Sequence, residues 1–277
     1  MEYCEEKKYK IKLIISDIDG TLLNNAGRID NDTRETLLSF QRQGGILALA
    51  TARHLHECKD IIRVLFADYS GYIISSNGVY IHDTLYNYID SFGFLNVEDV
   101  TEIQKRLPKT DLTIVTDGMD YCCCQKNKWN TYAKKIIRNI VSNGAQKTIF
   151  TKLEVLKRIN PKIEKIIIHG DSVENSVRYS EVQKIYRLTF SSAGNIEVFS
   201  MLTEKSIAAR YLADLLTLND SEIAVFGDDI NDISMLSMFP HSFAMANSHL
   251  SVQKAAHFLT RSNEEQGLAF AVKSFMR

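Results

Sequence analysis

Proline is scarce in this sequence, with 3 residues in 277, and tryptophan is scarcer, with 1. No proline-rich linker separates one part of the chain from another, and no internal repeat or low-complexity segment is visible. Net charge is also small. The 33 basic and 34 acidic residues nearly cancel, which excludes a global field able to hold a nucleic acid or an anionic membrane. Any preference for an anion must therefore be local. No apolar run has the length of a bilayer span, and residues 1–10 are charged and lack the apolar stretch of a signal peptide; a cytoplasmic location is expected. The 5 cysteines include the adjacent Cys122, Cys123 and Cys124 but no CxxC spacing. That favours reduced, partly buried thiols over a zinc site. A redox-sensitive triplet is the weaker reading, because Lys126 is the one basic neighbour in sequence that could lower a thiol pKa.

What is present is a hydrophobic fraction of 45%, enough for real cores in one large domain or two smaller ones. Residues 12–16 form a short apolar run that ends in acidic residues and glycine, as a buried parallel strand running into a loop does. A capping-box-like start at Asp32 then opens a helix that stops at Gly44-Gly45. Strands are expected at 46–50 and 72–75 with a helix at 54–66 between them. At the other end, helix at 204–216, strand at 223–226, helix at 231–238 and strand at 243–246 resume the alternation. Such alternation predicts an α/β fold: a Rossmann-like parallel sheet with helices on both faces and right-handed crossovers. Between the halves the pattern changes to paired strands, 79–82 with 86–89 and 112–116 with 121–124, interleaved with helices. The expected division is a core formed by 1–83 and 201–277, with an α+β insertion at 84–200.

Two acidic clusters stand at predicted strand ends, where ligands bind in open α/β sheets. In Asp17-Ile18-Asp19-Gly20-Thr21-Leu22 two carboxylates lie one residue apart, and Gly20 lets the chain turn at once. One carboxylate can attack phosphorus while the other protonates the leaving oxygen. An ordinary acidic turn or a calcium-binding loop reads similarly. In Gly227-Asp228-Asp229-Ile230-Asn231-Asp232 the carboxylates and amide suit a hard cation such as magnesium, though acidic residues also simply cap helices. Two such clusters at two strand ends make simple capping the poorer account. Thr51, with nearby backbone N–H groups, is placed to hold phosphate oxygens or merely to cap a helix. Lys205 alone reads as a solvated surface charge.

These residues together resemble the haloacid-dehalogenase-like phosphatases, in particular the Cof-type branch. Asp17-Ile18-Asp19-Gly20-Thr21-Leu22 looks like the family's DxDGTL, and the stretch from Gly227 to Leu236 fits its GDxxNDxxML. Ser76-Asn77-Gly78, Asn195-Ile196-Glu197-Val198 and Ser262-Asn263 ahead of Gly267 fall in the family's order. The resemblance implies that Asp17 is the nucleophile and Asp19 the general acid and base, with Thr51 and Lys205 binding phosphate. It implies Mg2+ on Asp17, on the Asp19 backbone carbonyl and on Asp228, with Asn231 and Asp232 orienting its waters or the lysine. The insertion would be an αββ-type cap that closes over the site and selects the leaving group. Ala52 and Ser206 stand where the family commonly has glycine, and 200–202 lacks its usual proline and glycine; these differences bear on the backbone shape beside the phosphate.

Such a site meets the needs of phosphoryl transfer: an in-line nucleophile, compensation of the oxygen charges, and a proton for the leaving group. Asp19 must be protonated first, so neighbouring carboxylates are expected to raise its pKa. Arg53, Asn77 and His169 are candidate substrate contacts. The expected partner is a small phosphorylated metabolite, a sugar phosphate or phosphorylated cofactor, with no nucleic acid and no membrane; the sequence does not address the oligomeric state. Two alternatives stay open: a phosphomutase, which would return the phosphoryl group to substrate, and a non-catalytic phospholigand-binding protein on the same scaffold.

Overall fold

Strand β1, Leu13–Ser16, is buried at every position in the computed structural model of the protein. A strand without a polar face must lie inside a sheet covered on both sides. It does: β1 pairs in parallel with β2 (Ile46–Ala50) on one side and with β12 (Ile223–Gly227) on the other. Residues 10–108, 110–116, 119–123, 147–169, 176–190 and 195–276 are described. The readings made for residues 1–9 and for Cys124 lie outside them.

The chain divides into two compact units, one containing the residues up to Phe92 together with those from Glu204 on, the other Gly93–Thr203. In the first, β3 (Tyr72–Ser75) continues the parallel array beyond β2, and β13 (His241–Ala244) and β14 (Phe258–Leu259) continue it beyond β12. An antiparallel pair, β4 (Tyr80–Asp83) and β5 (Tyr88–Ser91), closes the edge after β3. The sheet order is therefore β14-β13-β12-β1-β2-β3-β4-β5. The hairpin that pattern reading assigned in part to the insertion is an edge of this sheet. The unit boundary falls at Phe92 and Thr203 instead of 83 and 200.

Alternation along β1 sends side chains to two cores. Ile14 joins Leu37 and Phe40 of the helix Asn31–Arg42, Ile62 of Lys59–Leu65 and Leu268 of Gly267–Phe275. Leu13 and Ile15 join Ala208 and Leu212 of the helix Lys205–Leu215, Leu236 of Ile233–Met238 and Val252 of Leu250–Ala255. The chain leaves β1 toward β2 in one half and enters β12 on the other side, so β1 and β12 flank the point where strand order reverses. A crevice at the carboxyl ends of these strands follows from the topology.

The second unit has its own sheet, ordered β10-β11-β9-β6-β7-β8, from β6 (Asp111–Thr116), β7 (Met119–Cys123), β8 (Lys147–Phe150), β9 (Ile163–His169), β10 (Arg187–Phe190) and β11 (Ile196–Phe199). Its neighbours are antiparallel except for β7 with β8. Val100 and Ile103 of the helix Val97–Arg106, Leu156 of Leu153–Ile159 and Val182 of Ser176–Gln183 cover one face, against Leu112, Ile114 and Ile166. His169 ends β9 and its Nε2 lies 2.7 Å from the Thr113 hydroxyl. Cys58, Cys122 and Cys123 are buried, and burial pushes the Cys58 and Cys123 thiols up to about 12. No helix among the described residues is long and apolar enough to cross a membrane.

Candidate active site

The backbone of β1 continues its ladder one residue past the strand, the Asp17 N–H donating to the Phe226 carbonyl at 3.0 Å. That fixes Asp17 at the strand's carboxyl end, beside the end of β12. The chain then turns, with Leu22 N–H bonding back to the Ile18 carbonyl. The turn needs glycine at position 20: its φ is +80°, and a Cβ there would collide with the Asp228 carboxylate. Thr21 donates to Asp228 Oδ1 at 2.7 Å, tying the first acidic segment to the second. Asn247, which pattern reading passed over, donates to the Gly20 carbonyl at 2.9 Å and accepts from the Asn263 backbone at 3.0 Å. Asn263 in turn donates to the Leu23 carbonyl at 3.0 Å. Nothing local in sequence marks Asn247, because its partner lies in a loop on the far side of the chain.

Lys205 is the largest departure from a reading of the residues in isolation. It opens the helix Lys205–Leu215 and is 1% exposed, with its ammonium 2.5 Å from Asp17 Oδ1 and 2.7 Å from Asp232 Oδ1. Asp232 is fully buried, and its other oxygen accepts from the backbone N–H groups of Asp228 at 3.0 Å and Asp229 at 3.1 Å. Both oxygens of Asp232 are thus committed, one to the lysine and one to the turn entering the helix Ile233–Met238. Asp232 acts here as the post that holds Lys205 against Asp17.

The charges do not balance. Asp17, Asp228 and Asp232 place carboxylate oxygens within 4.8 Å of one another, against one ammonium. Burial raises the Asp17 carboxyl well above the usual range, with Lys205 opposing and Asp232 and Asp228 adding to it. Burial pushes Asp228 up to about 6, opposed by the Thr21 hydroxyl. For Lys205 burial alone would lower the pKa, but Asp17 and Asp232 outweigh it and raise it. The surplus negative charge and the all-oxygen donor set fit a hard divalent cation. Asn231 adds to the fit: its Nδ2 donates to Asn77 Oδ1 at 2.9 Å, while its own Oδ1 is buried and has no hydrogen-bond partner among the described residues.

Thr51 is buried at the end of β2, its hydroxyl accepting from the Arg53 backbone N–H at 3.1 Å. Asp19 stands apart from the acidic cluster. Its side chain is 60% exposed and meets a cation instead of the neighbouring carboxylates expected for it: Arg53 donates Nε to Oδ2 at 2.8 Å and a terminal nitrogen to Oδ1 at 2.5 Å. The reason is geometric. Asp17 still belongs to the β1 ladder, whereas Asp19 lies inside the turn that begins at Ile18, so one carboxylate enters the buried cluster and the other faces the Arg53 loop. The structure therefore brings Asp17, Asp228, Asp232 and Lys205 together, links Asn231 to Asn77, and pairs Asp19 with Arg53. His169 belongs to the second unit.

Residues 14–272 match the model of the haloacid dehalogenase-like hydrolases. The chain is 27% identical over 266 residues to the 5-amino-6-(5-phospho-D-ribitylamino)uracil phosphatase YcsE of Bacillus subtilis, covering 96% of each chain. A crystal structure of a haloacid dehalogenase-like hydrolase from Bacteroides thetaiotaomicron superposes with a TM-score of 0.76 at 26% identity, covering 96% of this chain and 99% of that one. A second structure from that organism, of a phosphatase of the haloalkanoate (HAD) enzyme superfamily, superposes at 0.79 with 20% identity over 99% of this chain and 98% of its own, and so shares the fold. With its parallel core sheet, its inserted unit and its acidic segments at the ends of β1 and β12, the chain belongs to the haloacid dehalogenase-like hydrolases, in their Cof-type phosphatase branch.

Proposed function

We propose that this protein is a Mg2+-dependent phosphatase that hydrolyses small phosphate monoesters through an aspartyl-phosphate on Asp17. The observation that carries the reading is the buried contact of Asp17 with a lysine that a second, fully buried aspartate holds in place. A lysine so committed keeps Asp17 oriented and offers positive charge beside the oxygen that must attack. Asp17 and Asp228 would hold the cation with the Asp19 carbonyl, Asn231 orienting its water. Bound there, Mg2+ supplies charge compensation for the phosphate oxygens.

In the first half-reaction an Asp17 oxygen bonds to phosphorus as the bond to the leaving oxygen breaks, and that oxygen takes a proton from Asp19. In the second, a water loses a proton to Asp19 as its oxygen attacks the phosphorus, and Asp17 departs as carboxylate with release of inorganic phosphate. Thr51 and Lys205 hold the phosphoryl oxygens throughout. Asp19 can serve only after leaving the Arg53 pair, so Arg53 is the group that holds the acid away until substrate is present. A related enzyme's substrate, a phosphorylated ribityl compound, supports small phosphorylated polyols or phosphorylated cofactors as the class to screen.

Two results test this. Asp228→Ala is expected to weaken Mg2+ binding by at least about 10-fold and to lower activity with it, and excess chelator is expected to silence the wild-type enzyme. Undiminished phosphatase activity in chelator would remove the metal from the mechanism. Asp19→Asn keeps size and hydrogen-bonding capacity but not the acid. Its single-turnover phosphorylation rate is expected to fall by about 100-fold or more for an alkyl phosphate and much less for an aryl phosphate, whose departing oxygen needs no proton. Equal slowing for both esters would leave Asp19 a structural role.

A further inference from the structure

The turn Ser76–Gly78 does not take part in the reaction as derived, yet its backbone is the most unusual near the site. Ser76 (φ 51°), Asn77 (φ 57°) and Gly78 (φ 100°) are all left-handed. Glycine adopts this freely, asparagine tolerates it, and serine does not favour it. Three in succession persist only where the surroundings over-determine them. Here each is held. Ser76 N–H donates to the Arg53 carbonyl at 2.8 Å, and Asn77 N–H to the Thr51 carbonyl at 2.9 Å. Gly78 packs so closely on the Glu204 carbonyl, one residue before Lys205, that a Cβ would collide with it. Asn77 Oδ1 accepts from Asn231 Nδ2 at 2.9 Å. One turn thus touches the segments carrying Thr51, Lys205 and Asn231.

We propose that Asn77 is a positioning residue that fixes the orientation of the Asn231 amide, so that Asn231 Oδ1 accepts a hydrogen bond from water on a bound divalent cation. This rests on the metal reading above. An amide has a donor end and an acceptor end. In Asn231 the donor end is satisfied by Asn77, while the acceptor end is buried and has no partner among the described residues. A buried acceptor without a partner costs free energy, so the arrangement calls for a donor that arrives with a ligand. With a cation between them the carboxylates of Asp17 and Asp228 are ionised and cannot supply it, because they then only accept. Water on a cation can. The left-handed turn sets where Asn77 Oδ1 stands, and without that oxygen the Asn231 amide is free to rotate and present either end. Asn77 is then a support for the metal shell and not the substrate contact that its place at a strand end suggests.

The test is a double-mutant cycle read by Mg2+ calorimetry in the absence of substrate, with KM for an aryl phosphate measured alongside. Asn77→Gly keeps the left-handed backbone and removes the side chain. It is expected to weaken Mg2+ binding by about 10-fold or more, with KM at saturating Mg2+ unchanged. Asn77→Ser, which cannot reach Asn231, should lose as much, and serves if the glycine variant melts early. Asn77→Asp keeps the acceptor and is expected to stay within about 3-fold of wild type. In an Asn231→Ala background, Asn77→Gly should add less than about 2-fold, because its effect passes through Asn231. Additive losses in the double variant, or a rise in KM with Mg2+ affinity intact, would overturn the proposal while leaving the metal reading standing. Wild-type protein that binds no Mg2+ would overturn both.

Discussion

Asn in place of Asp17 is expected to lower turnover by roughly four orders of magnitude or more, since the substitution preserves shape and removes the anionic oxygen that attacks phosphorus. Stability should not follow activity down. The amide oxygen introduced by Asp17→Asn can still accept from Lys205, which keeps its second partner, Asp232, at 2.7 Å. Removing a carboxylate also relieves a cluster in which burial and the charges of Asp232 and Asp228 already hold the Asp17 carboxyl far above its usual range. The melting temperature of Asp17→Asn should therefore equal or exceed that of the wild type in chelator. The measurement is a pair of single-turnover traces with an aryl phosphate, and mass spectra of quenched enzyme: the wild type should carry a transient phosphoryl group and the variant none. A variant that turns over normally, or still acquires the phosphoryl group, would move the nucleophile elsewhere.

The parts of this site that were legible in the sequence are those whose signal is local. The apolar runs that become β1 and β12 end directly in acidic residues, so the sequence pattern alone places Asp17 and Asp228 at strand ends, and the pairing of the two strands then makes them neighbours. Lys205 could not. As an isolated residue it looks like any surface lysine, and its burial comes from Asp17 and Asp232, which are 188 and 27 residues distant in the chain. The same limit explains Asp19: two carboxylates one residue apart suggest one cluster, but the second lies within the turn that begins at Ile18 and meets Arg53 instead. Asn-Gly at 77–78 announced a turn before a hairpin, and the hairpin is there. Which sheet it joins is decided by the pairing of β4 with β3, and nothing in an alternating pattern encodes that. The helix expected at 54–66 is in fact a 3-10 turn, Leu55–Cys58, followed by the helix Lys59–Leu65, with His54 extended at its start.

Lys205→Met gives the second large effect, and here stability and activity are expected to fall together. Methionine retains the unbranched apolar stem but leaves Asp17 and Asp232 facing each other in a buried site with no ammonium between them. Breaking a buried ion pair by removing one partner costs about 3–5 kcal/mol, because the remaining charge stays uncompensated. Asp232 cannot turn away to water, since its other oxygen is held by the backbone N–H groups of Asp228 and Asp229. The loss should thus appear as a markedly lower melting temperature in chelator. Adding Mg2+ should recover more of it in the variant than it adds to the wild type, because the cation then supplies charge that Lys205 otherwise provides. Activity should not recover in step, for the phosphoryl oxygens still lack the ammonium, and a deficit of about 100-fold or more in kcat/KM is expected at saturating Mg2+. Thermal melts with and without Mg2+, set beside steady-state kinetics, separate the two roles. A variant whose melting temperature in chelator matches the wild type would show that Asp17 and Asp232 do not depend on Lys205 for their charge, and the triad would then have to be read as Asp17 and Asp232 sharing a proton with the lysine as a spectator.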